Sequence, residues 1–134
     1  MIKTILVATD GSEHAKKALA LASDLGAKYN ARLVLVHVLL TNARAETLRT
    51  LATRRGLSKD QRDLLENYEI DFHREVAAAG AAVGFVTVPP PRELVKAIGR
   101  QIMDRAEKAA TKAGVKKVVM HTVEGDPAEA ILEL

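Results

Sequence analysis

The residues of this chain best placed to do chemistry are Thr9, Asp10 and Ser12, which directly follow an apolar run at residues 5–8. The run predicts a strand buried on both faces, as in a parallel sheet covered by helices. Ser12 is a favourable N-cap, so a helix should begin beside the carboxyl end of the strand. Ligands of open α/β sheets bind at such positions. Asp10 is therefore a candidate binding residue, although it could equally cap the helix or accept loop N–H groups, and these roles are compatible.

Composition limits the class of protein. A chain of 134 residues with 48% hydrophobic and 28% charged residues suits one globular domain. The absence of cysteine excludes disulfides, thiolate zinc sites and cysteine nucleophiles. No apolar run approaches the roughly 20 residues that span a bilayer, and no signal peptide is visible, so we expect a cytoplasmic protein without membrane contact. The net charge is only +3 and aromatic residues make up 3%, so we do not expect nucleic acid as a partner.

The periodicity of the first 40 residues predicts a strand–helix–strand unit. Apolar spacing indicates a helix over residues 12–29, ended by Asn30 as its C-cap. Residues 33–40 follow as a second buried strand, in which His37 is expected to be a hydrogen-bonded core histidine. The crossover should be right-handed, which makes this unit the first half of a doubly wound parallel sheet.

Residues 41–91 form a longer and less regular excursion between core elements. We predict a short helix at residues 45–55, a second helix that begins at a Ser58–Gln61 capping box, and a short extended piece at residues 86–88. Such an excursion usually lies over the surface.

The last third of the chain predicts a helix, a strand and the start of another helix. The helix begins near Pro91 and ends before Gly114, and the strand occupies residues 116–123. Asp126 and Pro127 have the N-cap and first-turn chemistry of the next helix. The predicted buried stripe of the long helix comprises Leu94, Ile98, Ile102, Ala106, Ala109 and Ala113.

Three segments in this order resemble the universal stress protein family. They are ILVATDGS at residues 5–12, LVLVHV at residues 33–38 and VEGDPAEAI at residues 123–131. The resemblance implies an open parallel α/β sheet with helices on both faces, a nucleotide-binding three-layer sandwich. The chain would then be one such domain over residues 1–134, with a variable helical excursion at 41–91. The family's fourth and fifth strands are not in the sequence, so we expect the fold to be incomplete at its C-terminal end.

The resemblance also implies a binding site for an adenine nucleotide. In the ATP-binding branch of the family, an acidic residue after the first strand lies near the adenine and ribose, a role that would fall to Asp10. Backbone atoms at the end of the second strand read the adenine edge, which would fall to Val38, while Ala8 and Thr9 would line the pocket. The main expectation is thus a stress-response module that senses ATP or another adenine nucleotide.

The phosphate half of that site is missing from the sequence. The family binds phosphates with a glycine-rich loop of the form G-x2-G-x9-G-[ST], and no two of the 8 glycines of this chain are three residues apart. Nucleotide binding is therefore an expectation for a complete protein that carries the loop. We expect no catalytic residue, no metal site and at most very slow ATP hydrolysis.

Two other functions stay open at this point. One is a protein-interaction module that does not bind ATP and acts through the 41–91 excursion and a dimer surface. The other is an adenylyl-transferring or pyrophosphatase relative, whose signature loop is not found after the first strand.

In the family's sheet the first strand lies beside the fourth, so residues 2–8 would be an exposed apolar edge. We therefore predict a homodimer or higher oligomer, with an unidentified protein as the alternative partner.

Overall fold

The computed structural model describes residues 1–39, 41, 57–80 and 89–134. In these ranges the strands form one parallel sheet with the order β1-β2-β3. The strands are β1 (Thr4–Ala8), β2 (Arg32–Val38) and β3 (Val118–Val123). The parallel α/β architecture that the sequence predicted is confirmed.

Helix α1, Glu13–Tyr29, joins β1 to β2 and completes the predicted strand–helix–strand unit. Ser12 caps it, since the Ser12 hydroxyl accepts the N–H of Ala15 at 3.2 Å. At the other end Asn30 has a φ of 51°, and its N–H bonds to the carbonyl of Ala27 at 3.4 Å. Asparagine tolerates this left-handed conformation better than most residues. Both predicted caps are confirmed.

The chain divides into two compact units, residues 1–39 together with 99–134, and residues 40–98. The described part of the second unit contains helix α2, Lys59–Ala79. The predicted helix at residues 45–55 and the extended piece at residues 86–88 lie outside the described residues.

Helix α2 begins at the predicted capping box. The hydroxyl of Ser58 accepts the N–H of Gln61 at 3.2 Å, and the Gln61 side chain accepts the N–H of Ser58 at 3.0 Å. These two bonds satisfy backbone donors that the first turn of a helix otherwise leaves unpaired. Leu65 and Tyr68 form the buried side of α2.

One face of the sheet is covered by α1 and by residues 99–112 of helix α3, which spans Arg92–Lys112. Removal of apolar side chains from water drives this packing. The prediction for the end of α3 was wrong, because Ala109 and Ala113 are exposed while Ala110 is fully buried, and Ala113 lies beyond the last helical residue. Because residues 109 and 110 are both alanine, the sequence does not indicate which of the two is buried. The buried cluster on this face comprises Val7, Leu19, Ala22, Leu33, Leu35, Met103, Ala106, Ala110 and Val115.

Strand β1 also departs from the prediction that it is buried on both faces. Leu6 is 45% exposed and Thr4 and Ala8 are exposed, whereas Val7 is buried. In the described sheet β2 is the middle strand, so β1 has a neighbour on one side only. Side chains alternate along a strand, which places Leu6 on the face opposite the core cluster. Within the described residues β1 is therefore an edge strand with an apolar side chain in solvent.

The last helix, α4, spans Pro127–Leu132 and contacts β2. Its predicted cap is confirmed, since the Oδ1 of Asp126 accepts the N–H groups of Ala128 at 2.9 Å and Glu129 at 3.2 Å. Among the described helices, none combines the length and apolar character that crossing a bilayer requires.

Candidate functional site

Thr9 holds the loop after β1 against β2 through two hydrogen bonds. Its N–H donates to the carbonyl of Val36 at 2.8 Å, and its own carbonyl lies 2.8 Å from Nδ1 of His37. Because a carbonyl only accepts, Nδ1 of His37 carries the proton of this hydrogen bond. His37 is 1% exposed, so the predicted hydrogen-bonded core histidine is confirmed.

His37 also determines how the ladder between β1 and β2 ends. In a parallel ladder the N–H and C=O of one residue point to the same neighbouring strand. Val36 faces β1 through its bond to Thr9, whereas Leu39 faces β3, to which its N–H donates at 2.8 Å. Val38, two residues after Val36, therefore directs its N–H and C=O toward the space beyond β1. The Thr9 carbonyl, which could have continued the ladder, is held by His37 instead.

Asp10 is exposed, and its Oδ1 accepts the N–H of Ser12 at 2.8 Å. Partial burial raises the pKa of this carboxyl, but hydrogen bonds from the Ser12 side chain and backbone, then from its own backbone, and the charge of His37 together hold the pKa below its ordinary value of 3.8. The group is therefore ionised at neutral pH and acts as a hydrogen-bond acceptor. Its expected role as an acceptor of loop N–H groups is confirmed, and its exposure leaves it accessible to a ligand.

Replacing Asp10 by asparagine is expected to lower stability at neutral pH by an amount that disappears in acid. The folded pKa lies below the unfolded one, so the carboxylate stabilises the fold fully above the unfolded pKa and loses this effect as pH falls through the folded pKa. Urea unfolding of both proteins from about pH 7 downward measures the difference. Asp24→Asn, at an exposed aspartate of α1, is the control and should leave the free energy of unfolding unchanged. A deficit that persists in strong acid would contradict the assignment.

Gly99 of α3 makes room for the His37 ring. A Cβ at this position would lie 3.1 Å from Cδ2 and 3.2 Å from Nε2 of His37, and 3.2 Å from the side chain of Leu39. The Nε2 atom is buried, and no described residue forms a hydrogen bond with it. The sequence analysis did not predict this contact. A glycine inside a strong helical pattern was the available signal, because glycine destabilises a helix by about 1 kcal/mol relative to alanine and so indicates a packing reason for its presence.

The structure brings Thr9, Asp10 and His37 together at the carboxyl end of the sheet. Ala8 is the last residue of β1 and pairs with Val36, and Val38 is half-buried at the end of β2. The arrangement offers a backbone donor and acceptor beside an ionised carboxylate. In the part of the chain that the structure describes, no group of three or more His, Asp or Glu side chains is placed to hold a metal ion.

Comparison with known proteins gives one family and several solved structures. The sequence profile of the Universal stress protein family matches residues 1–134. A universal stress protein in complex with cAMP is 17% identical, with a TM-score of 0.52 over 98% of this chain and 62% of that chain. Protein Rv1636 from Mycobacterium tuberculosis H37Rv is 18% identical, with a TM-score of 0.52 over 98% and 60%. A universal stress protein family member from Burkholderia pseudomallei is 26% identical, with a TM-score of 0.52 over 98% and 70%.

The chain spans 60–62% of the length of the first two of these structures. Comparison with curated protein sequences finds no match. At 17–18% identity the likeness to those two structures shows a common fold. The family profile, by contrast, covers every residue of this chain, from 1 to 134. The chain belongs to the universal stress protein family.

Proposed function

We propose that the carboxyl end of the sheet binds the adenosine part of an adenine nucleotide, in a cytoplasmic stress-response module that senses it. The observation that carries the proposal is the orientation of Val38, whose N–H and C=O are directed past the end of β1. Adenine presents a ring-nitrogen acceptor beside the N6 amino donor, which such a backbone pair complements. A protein that shares the fold forms a complex with cAMP, and this supports adenine nucleotides as the class to test.

Asp10 would contribute the ribose contact. Its carboxylate is exposed and ionised at neutral pH, so it accepts hydrogen bonds from ribose hydroxyls. The lowered pKa also makes the group a weak base, which supports binding without catalysis. The sequence has no glycine-rich phosphate loop, so the phosphates of a nucleotide should add no contact with such a loop. We therefore expect adenosine, which has no phosphate, to make all the contacts that this end of the sheet offers.

The decisive experiment is a titration with adenosine followed by amide chemical shifts. Saturable shifts are expected at Thr9, Asp10 and Val38, and Asp10→Ala should weaken binding by roughly tenfold, as loss of a charge-assisted hydrogen bond does. Asp24→Ala is the matched control and should bind as the original chain does. Guanosine should bind more weakly, because its Watson–Crick edge presents donor and acceptor in exchanged positions. Equal affinity in the Asp10 and Asp24 variants, or no binding by the original chain, would overturn the proposal.

The alternative function is a protein-interaction module that acts through the 41–91 segment. Helix α2 supports it, because Ile70 and Val76 are 55% and 45% exposed. An adenosine titration that produced no shift at Thr9 and Asp10 would favour this alternative.

We also infer that two copies of the chain associate through the free edge of β1. The backbone groups of Lys3 and Thr9 form hydrogen bonds with β2. Because successive residues of a strand direct these groups to alternate sides, the N–H and C=O groups of Thr4, Leu6 and Ala8 point away from β2. No strand among the described residues pairs with that side of β1. An unpaired strand edge of this kind is a template for pairing with another chain, and a two-fold axis makes two copies the simplest assembly.

A further inference from the structure

An open cleft lies at the amino ends of the three strands, which is the opposite end of the sheet from Thr9 and Asp10. Its volume is about 480 Å³, within the range of small-molecule sites. Lys3 and Thr4 lie at the start of β1, with Thr4 as its first residue, Asn30 precedes β2 and Arg32 begins it, and Lys116 and Lys117 precede β3. These six residues form most of its lining.

Backbone hydrogen bonds fix the positions of three of the four cationic residues, and Lys116 directly precedes one of them. The N–H of Arg32 donates to the carbonyl of Lys3 at 2.9 Å, and the N–H of Leu33 donates to the carbonyl of Lys117 at 2.9 Å. These bonds tie the three strand starts together, because parallel strands begin at the same edge of a sheet. The convergence of the cations therefore follows from the register of the sheet.

The cleft is strongly and uniformly positive. None of its described lining residues is acidic, and all four cationic side chains are exposed. The ion pairs Lys16–Glu13 and Arg74–Asp71 involve side chains that do not line the cleft. Like charges brought together in a concave site repel one another and raise the local concentration of anions.

We propose that this cleft, named here the amino-edge cleft, binds a small anion that carries two or more linked phosphate groups. Lysine and arginine are the side chains that bind phosphate oxygens, and four of them match a ligand of several negative charges. No aromatic side chain is found among the lining residues that the structure describes, so these residues do not provide the base stacking that single-stranded nucleic acid requires. The cleft is distinct from the adenosine site and would be present even if that proposal failed.

Titration with inorganic tripolyphosphate tests the amino-edge cleft, since this probe carries no adenosine. The original chain should bind it saturably in calorimetry, and more tightly than it binds orthophosphate. The double variant Lys116→Gln/Lys117→Gln should bind roughly tenfold more weakly or worse, because two charge-assisted contacts are lost. It should keep the affinity of the original chain for adenosine. Circular dichroism checks that it folds.

The control is Lys96→Gln/Lys108→Gln, which removes the same charge from exposed positions of α3 outside the cleft. This variant should bind tripolyphosphate as the original chain does. Equal weakening in both double variants would show a general charge effect and overturn the proposal. Absence of saturable binding, or equal affinity for orthophosphate and tripolyphosphate, would overturn it as well. Tighter binding of a single-stranded RNA than of tripolyphosphate would contradict the small-ligand assignment.

Discussion

Replacing His37 by alanine is expected to lower the free energy of unfolding by roughly 2–4 kcal/mol. The His37 ring is 1% exposed, so its removal leaves a cavity against Gly99 and Leu39. The change also deprives the Thr9 carbonyl of its donor at 2.8 Å. A buried carbonyl without a partner costs stability beyond the loss of packing. Chemical denaturation with linear extrapolation measures the difference.

Two variants separate the causes of this effect. His121→Ala makes the same chemical change at an exposed position of β3 and should alter stability by less than about 0.5 kcal/mol. His37→Asn keeps an N–H donor near the position of Nδ1, so it should lose less stability than His37→Ala. In the adenosine titration, His37→Asn should also retain more binding, because Thr9 stays fixed. Equal stability losses in His37→Ala and His121→Ala would show that His37 does not hold the loop.

The substitution Leu6→Lys is expected to weaken the association through β1 that we propose and to shift the protein toward the monomer. The side chain of Leu6 is 45% exposed on a strand whose outer edge has no partner in the described sheet. Two copies that pair along β1 would bring two added charges close together, and charged residues on edge strands prevent such pairing. Sedimentation velocity should show a dissociation constant raised at least roughly tenfold, since like charges placed at an interface cost several kcal/mol.

Leu21→Lys provides the matched control for this experiment. Leu21 is 64% exposed on α1, so the same residue change occurs at a more exposed site away from the edge. It should leave the oligomeric state unchanged. A monomeric original chain at high concentration, or equal dissociation in both variants, would exclude pairing through β1.

Local chemistry accounts for the parts of the fold that the sequence predicts well. Asn30, the Ser58–Gln61 pair and Asp126 end or begin helices as predicted, because a cap is decided by residues within one turn of it. The order of strand, helix and strand follows from periodicity in the same way. The candidate binding residue Asp10 could be located because it directly follows an apolar run.

Features that depend on distant parts of the chain could not be predicted. The exposure of Leu6 is decided by the strand order, which its sequence neighbours do not contain. The fit of His37 against Gly99 joins β2 to a helix far along the chain. The amino-edge cleft could not be predicted without the register of all three strands. The basic residues near the start of each strand were the one indication of it in the sequence.

The two ends of the described sheet also carry opposite charges, so charge is separated along the strands within the unit of residues 1–39 and 99–134. Lysine and arginine precede the strands, while Asp10 follows β1 and Glu124 and Asp126 follow β3. A molecule with separated charge is oriented by the electric field of a charged partner before the two make contact. Within this unit, an anionic surface such as a cation-exchange resin should therefore attract the amino edge more strongly than the Thr9–Asp10 end.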